Sequence, residues 1–188
     1  MGKLIPFTAN DDYLLKGCRK GKSKAQKAVY DKYAPRFYSL CLRYARQRED
    51  AEEILANGFV KIFKNIKKFR NEGSFEGWMR TIMVREALNF LKAKRETLTP
   101  YEDDSLPWLH HDPADGENEE HLMTLVQHLP KGYRIVFNMY ALEGYSHAEI
   151  AKELHISENT SRSQLLKARR QLQQQLKHSV PKISNDEK

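Results

Sequence analysis

At 188 residues the chain is long enough for one ordinary domain or two small ones. Lys and Arg number 32 against 25 Asp and Glu, a formal net charge of +7 that favours a polyanionic partner, nucleic acid above all. No apolar run reaches the roughly 20 residues of a membrane span, and the N-terminus MGKLIPFTANDD has no signal-peptide hydrophobic core, so a cytoplasmic protein is expected.

Residues 1–95 hold 22 Lys plus Arg and 10 Asp plus Glu, a local net charge of +12. Apolar residues recur there at three and four rather than two, the period of a helix. Cys18 and Cys41 lie among helix formers with no partner at metal-ligand spacing. They read as small buried side chains in a reducing compartment. Ser23 with Gln26 forms a capping-box pattern ahead of Ala25, Ala28 and Val29. Pro35 is predicted to kink or restart that segment, and Phe37, Leu40, Cys41 and Tyr44 form the next stripe, facing a core. Asp50 with Glu53 makes a second capping-box pattern. Leu55, Phe59, Ile62, Phe63 and Ile66 follow on one face, with Lys61, Lys64, Lys67 and Lys68 on the others. Lysines there suit the helix dipole, so a solvated face and a binding face both stay open. Gly58 inside a helix costs about 1 kcal/mol relative to Ala, which points to a close approach at that position.

The segment FRNEGSFEGW is a turn, leading into a helix over Phe75 to Lys94 with Trp78, Ile82, Leu88 and Leu91 predicted inward. Phe69, Phe75 and Trp78 flank the turn, and Arg80, Arg85, Lys92, Lys94 and Arg95 back it. Aromatic faces mixed with cations suit unstacked single-stranded bases, through stacking and phosphate pairing. Phe75 and Trp78 are also compatible with a plain core role.

Residues 96–120 contain no Lys or Arg and nine acids, with three prolines and little apolar periodicity. Such a stretch buries too little to offset its ordering entropy, and it reads as a flexible acidic linker. It serves either as a spacer or as a polyanion competing with DNA for the basic domains. The expected organisation is all-α: a helical domain over 1–95, the linker over 96–118, a second small helical domain over 119–180, and a disordered tail over 181–188.

In the second domain Leu122, Leu125, Val126 and Leu129 lie at i, i+3, i+4 and i+7, closed by Pro130. A helix over Tyr133 to Leu142 is stopped by Gly144. Ser146 to Glu149 is a capping box opening a short helix with Ile150, Ala151 and Leu154 inward; His155 and Ile156 turn the chain, and Ser157 caps a helix to about Leu176. This is helix-turn-helix spacing. The second helix of such a motif enters the major groove by its N-terminal part. Here that part presents Asn159, Thr160, Arg162, Ser163 and Gln164, able to read base edges, then Lys167, Arg169 and Arg170, suited to phosphates.

The segments DAEEILANGFVKIFKNIKKF, FEGWMRTIMVREALNFLKAKR and LPKGYRIVFNMYALEGYSHAEIAKELHISENTSRSQLLKARRQL, in that order around a variable linker, resemble the extracytoplasmic-function (ECF) sigma factors of the sigma-70 family. The resemblance runs from about Asp11 to Leu176. It implies a transcription initiation factor whose first domain docks on the clamp helices of the largest subunit of core RNA polymerase, through Asp50, Glu53, Ile54, Asn57, Phe59 and Lys61. It implies minus-ten promoter recognition and melting by Phe69, Ser74, Phe75, Trp78, Arg80, Arg85, Asn89 and Lys92. The second domain is then expected to sit on the polymerase flap and to bind the minus-thirty-five element through Asn159, Thr160, Arg162, Ser163, Gln164, Lys167 and Arg170. A membrane-anchored anti-sigma factor is the further partner implied, with a monomer when free. Ala56 and Asn57 stand where the family usually has Gln and an acidic residue, Arg85 where an Asn is common, His155 at the turn glycine, and Ser161 at an apolar position. His tolerates positive φ better than most residues, which keeps the turn feasible.

No catalytic residue, metal, cofactor or small-molecule substrate is expected. The rival readings are a helix-turn-helix regulator acting on duplex DNA without polymerase, an RNA-binding protein without promoter specificity, and a metal hydrolase built on His110, His111, Asp112, His121 and His128. The last lacks any neighbouring group to orient its ligands.

Overall fold

The computed structural model describes residues 9–45, 47–97 and 118–179. The chain divides into two compact units, Met1–Asp103 and Asp104–Lys188. Among the described residues every regular element is helical, as the apolar periodicity requires. Residues 98–117 of the expected linker and the tail 181–188 lie outside the described residues.

The first unit contains α1 (Ala9–Arg19), α2 (Ser23–Tyr44), α3 (Arg48–Asn65) with a single 3-10 turn at Ile66–Lys68, and α4 (Phe75–Thr97). Helices α2, α3 and α4 pack on one another, and α1 lies against α2 and the 3-10 turn. Val29, Tyr33, Phe37 and Leu40 of α2 meet Ile54, Phe59 and Ile62 of α3, all of them buried. Their rings interlock: Phe37 and Phe59 are 6.0 Å apart, and Tyr33 meets Phe75 edge-on at 6.2 Å. Cys18 and Cys41 are buried free thiols in this core, and burial pushes the Cys41 thiol up to about 12.

Three sequence expectations about helix ends and breaks are corrected here. Helix α2 runs unbroken through Pro35. The buried neighbours Tyr33 and Phe37 hold it in register, and Ser39 Oγ donates to the Pro35 carbonyl at 3.1 Å, so tertiary packing outweighs the ~3 kcal/mol propensity cost. Ser23 is already helical: Lys22 occupies the N-cap without a side-chain bond, because the tight turn at Gly21 (φ +69°) starts the helix early. Asp50 likewise lies inside α3, whose N-cap is Gln47. Its carboxylate pairs with Lys94 of α4 at 2.7 Å instead of capping.

Helix α4 is rotated relative to the predicted register. The buried stripe is Phe75, Met79, Met83, Ala87 and Leu91, whereas Trp78, Ile82 and Leu88 are half-buried shoulders. Gly58 leaves room for that register. A Cβ there would collide with Met83 Sδ, so α3 and α4 cross where α3 has no side chain. Glu76, 2% exposed, is tied by Arg36 of α2 at 3.4 Å and by Arg80. Glu86 pairs with Lys61 of α3.

The second unit contains α5 (Asn118–Gln127), α6 (Lys131–Phe137) widening into a π turn at Asn138–Leu142, α7 (His147–Leu154) and α8 (Glu158–Ser179). Its buried core is smaller than the first: Leu125, Val126, Leu129, Ala168 and Leu172 form one cluster with Tyr133 and Phe137 packed against it, and Ile135, Val136, Met139, Ile150 and Leu165 are buried as well. Leu122, predicted inward, is 42% exposed and corrected to the surface. Pro130 closes α5 and serves as N-cap of α6, and Gly144 (φ +78°) ends the π turn. Arg134, 1% exposed, donates from Nη1 to the carbonyl of Gln127 at 3.0 Å, satisfying the C-terminal end of α5.

Candidate nucleic-acid interface

The turn between α7 and α8 is built by local hydrogen bonds. Glu149 donates its N–H to Ser146 Oγ at 3.2 Å, and the Ser146 N–H donates to the Glu149 carboxylate at 2.8 Å, completing the capping box. Accepting from the Ser146 backbone and then its hydroxyl holds the Glu149 carboxyl below its ordinary range. His155 closes α7 in the left-handed region (φ 54°, ψ 44°), as its tolerance for positive φ allows. Ser157 Oγ accepts the Thr160 N–H at 3.0 Å and starts α8. The departure at Ser161 has a compensation the sequence did not disclose. Ser161 is fully buried and lies 2.8 Å from His147 Nδ1, while the His147 ring stacks on Tyr140 of the π turn at 4.5 Å. Burial, then Arg162 and Arg169, lower the His147 pKa, with Glu158 opposing them.

This frame fixes which side of α8 faces out. Ser161, Leu165, Ala168 and Leu172 point inward at spacings of four, three and four. Asn159, Ser163, Leu166 and Arg170 stand opposite at the same spacings, flanked by Arg162 and Lys167, all of them exposed. Arg162 is paired with Glu158 at 3.1 Å, and Lys167 lies 6.0 Å over the Tyr133 ring. Thr160 and Gln164 are half-buried: Thr160 Oγ1 bonds Ser157 Oγ at 2.8 Å, and the Gln164 amide packs against Gly132 of α6. Those two predicted base readers are therefore less open to solvent than Asn159, Arg162 and Ser163.

In the first unit Trp78, Arg85, Asn89 and Lys92 share one face of α4 by their spacing of seven, four and three. Arg85, Asn89 and Lys92 are exposed and Trp78 is half-buried. Ser74, just ahead of α4, accepts the Gly77 N–H at 3.2 Å. The Arg80 side chain, 24% exposed, leans on Glu76. Phe69 (4% exposed) and Phe75 (2%) are corrected from the predicted DNA-contact set to the core. Their rings lie 5.5 and 6.0 Å from Trp78 and buttress it from below. Before α4, the loop carries Asn71 (φ +61°) and Gly73 (φ +82°), and Arg19 of α1 binds both the Phe69 carbonyl and Asn71 Oδ1 (3.0 Å). Sequence reasoning missed Arg19, since nothing in α1 signals a partner 52 residues away.

On α3, Glu53, Asn57 and Lys61 are exposed, Lys61 with its tie to Glu86. Ile54 (0% exposed) and Phe59 (3%) are corrected from the predicted polymerase-contact set to the core, because their positions face α2 and α4. Val60, 49% exposed between Asn57 and Lys64, was missed; its place one turn of helix from Asn57 and two from Glu53 was the available signal. His128 of the rival metal site is exposed, with Nδ1 2.7 Å from the Thr124 carbonyl. His110, His111 and Asp112 lie outside the described residues, as does the side chain of His121.

A family model for sigma-70 region 2 matches residues 29–97, and one for sigma-70 region 4 matches residues 119–172. Among curated relatives, the ECF RNA polymerase sigma-E factor of Haemophilus influenzae is 24% identical over 182 residues, covering 88% of this chain and 95% of that one. The chain belongs to the ECF sigma-70 family. This sigma factor is also similar to the ECF sigma factor SigE of Mycolicibacterium smegmatis, 28% identical over 158 residues, covering 78% of this chain and 60% of that longer one. Its fold resembles that of the sigma factor RpoE of Bartonella quintana in complex with the anti-sigma factor NepR (TM-score 0.56, 17% identity, 82% of this chain and 98% of that one). It also resembles CnrH in complex with the cytosolic domain of CnrY (TM-score 0.51, 16% identity, 89% and 97%). Sigma factors are DNA-binding initiation factors rather than catalysts. Among the described residues of this one, no helix is long and apolar enough to cross a membrane.

Proposed function

We propose that this sigma factor binds core RNA polymerase through the exposed face of α3 and directs it to promoters by reading the minus-ten and minus-thirty-five elements. Glu53, Asn57 and Lys61, joined by the exposed apolar Val60, form the polymerase face, with the Lys94-paired Asp50 at its edge, presented to the clamp helices of the largest subunit. On α4, Trp78 offers a ring held from behind by Phe69 and Phe75, so a base flipped from the minus-ten duplex stacks on a surface that needs no rearrangement. Arg85 and Lys92 neutralise the flanking phosphates, Asn89 supplies a donor and an acceptor to the strand, and Ser74 and Arg80 border the same surface. The N-terminal half of α8 lies in the major groove of the minus-thirty-five element, with Asn159, Arg162 and Ser163 toward base edges and Lys167 and Arg170 toward phosphates. The second unit rests on the polymerase flap.

The observation that carries this reading is the outward face of α8. A capped helix-turn-helix turns a row of cations and hydrogen-bonding groups away from its core, in the same chain as a separate region 2 unit. An anti-sigma factor, membrane-anchored, is the proposed regulator; the solved complex of the sigma factor RpoE with the anti-sigma factor NepR supports an anti-sigma partner. The factor acts in the cytoplasm and is a monomer when free.

Run-off transcription by bacterial core polymerase on genomic fragments, with and without the protein, tests the proposal. Promoter-specific transcripts that depend on the protein are expected. Duplex binding by the protein alone, with no such transcript, would replace this reading with a polymerase-independent regulator.

A further inference from the structure

Leu166 is 50% exposed, and it lies on the outward face of α8 between Arg162 and Ser163 on one side and Lys167 and Arg170 on the other. An isolated exposed leucine is ordinary on a protein surface. This one sits at the centre of a cationic helix face, where any polyanion that binds strips water from it. The polar groups around it are already partly engaged. Ser163 Oγ donates to the Thr160 carbonyl at 2.9 Å and keeps only acceptor capacity, Thr160 Oγ1 is bonded to Ser157, and Arg162 is paired with Glu158.

Leu166 lies about 12 Å along α8 from its first residue, a reach comparable to the ~12 Å width of the major groove. The floor of that groove is lined by hydrogen-bonding groups that a leucine can only desolvate at a cost, with one exception. The thymine C5-methyl is apolar and projects into the groove.

We infer that Leu166 is a specificity-determining residue that packs on a thymine methyl in the minus-thirty-five element. The inference rests on the proposed function and adds to it a base identity that the polar residues of α8 do not supply. Asn159 and Arg162 would specify by hydrogen bonds, whereas Leu166 specifies by shape and by the removal of one methyl group from water.

The test uses the full-length chain with core polymerase and a duplex enriched by that holoenzyme from a random pool. Each thymine of the upstream element is replaced in turn by deoxyuridine, which lacks only the methyl group. One replacement is expected to weaken wild-type binding about fourfold, the scale of burying a single methyl group. Leu166→Ala is expected to bind the thymine duplex more weakly by a similar factor and to be indifferent to that same replacement. Alanine is a better helix former than leucine at this exposed position, so the variant retains its fold, which its circular dichroism would show. The inference is overturned if no uridine replacement weakens the wild type, or if the loss is equal in Leu166→Ala. Enrichment of no duplex would overturn the proposed function itself, an outcome distinguishable from the other two.

Discussion

The two units solve the same problem, holding helices together, by different means. In the first, α2 and α4 are 22 and 23 residues long and share a large aromatic core. Neither α2 nor α3 has a side-chain cap, and charges serve instead as cross-helix ties: Asp50 to Lys94, Lys61 to Glu86 and Arg36 to Glu76. In the second, α6 and α7 have only 7 and 8 residues and pack on the 22-residue α8 around a smaller core, and the capping box, the Ser157 cap and buried Arg134 hold the ends. Short helices are marginal alone, so end satisfaction matters where the core is small. Where apolar burial is ample, it becomes dispensable.

Substitutions can break or sharpen that contrast. The largest effect is expected at the α3–α4 crossing: Gly58→Leu forces a side chain onto Met83 and should destabilise the first unit by about 3 kcal/mol, read by urea unfolding. In the second unit, Arg134→Ala removes a buried charged donor from the Gln127 carbonyl, for a loss of about 2 kcal/mol, seen as faster amide exchange in α5 and α6. Next comes a matched pair. Ser146→Ala should cost about 1 kcal/mol, whereas Ser23→Ala, which removes no cap, should stay within about 0.5 kcal/mol of wild type. Equal losses at the two serines would refute the contrast.

The smallest effect is a pH dependence centred on His147. Its pKa in the fold lies below the ordinary histidine value of 6.5, chiefly through burial, so the folded second unit favours the neutral ring. The unfolded chain binds a proton that the folded one resists. Stability is therefore full above 6.5 and falls as the pH drops from 6.5 toward the folded pKa, with no further loss from this group below it. Glu149 adds its own loss only at lower pH, below its ordinary 4.5. Thermal unfolding of wild type and His147→Gln at pH 7.5 and 5.5 should show the larger difference in wild type; an identical slope in both would remove His147 as its source.

The helix-turn-helix was legible because its determinants are local. Ser146, Glu149, His155 and Ser157 act within four residues of themselves, and all four do what their chemistry announced. The register of α4 was not legible, because the helix carries apolar residues on two adjoining faces. Tryptophan outweighs methionine by size, but the room for Met83 is made by a glycine on another helix. The burial of Arg134 was not legible either, because the carbonyl it satisfies belongs to a different helix. For the candidate interfaces, the exposed polar residues of α3, α4 and α8 were readable from spacing. Ile54, Phe59, Phe69 and Phe75 were not, since an aromatic beside a cation looks the same in sequence whether it meets a base or a neighbouring helix.

The chain's two cysteines both lie in the first unit, and the second has none. Burial pushes the Cys41 thiol up to about 12, far above neutral pH, so the reactive thiolate is scarce, and the side chain is sealed by the core as well. Alkylating reagents are thus blind to it until α2 separates from its neighbours. The protein carries a built-in clock: the rate at which an alkylating reagent labels Cys41 times the opening of the first unit, with no cysteine introduced for the purpose.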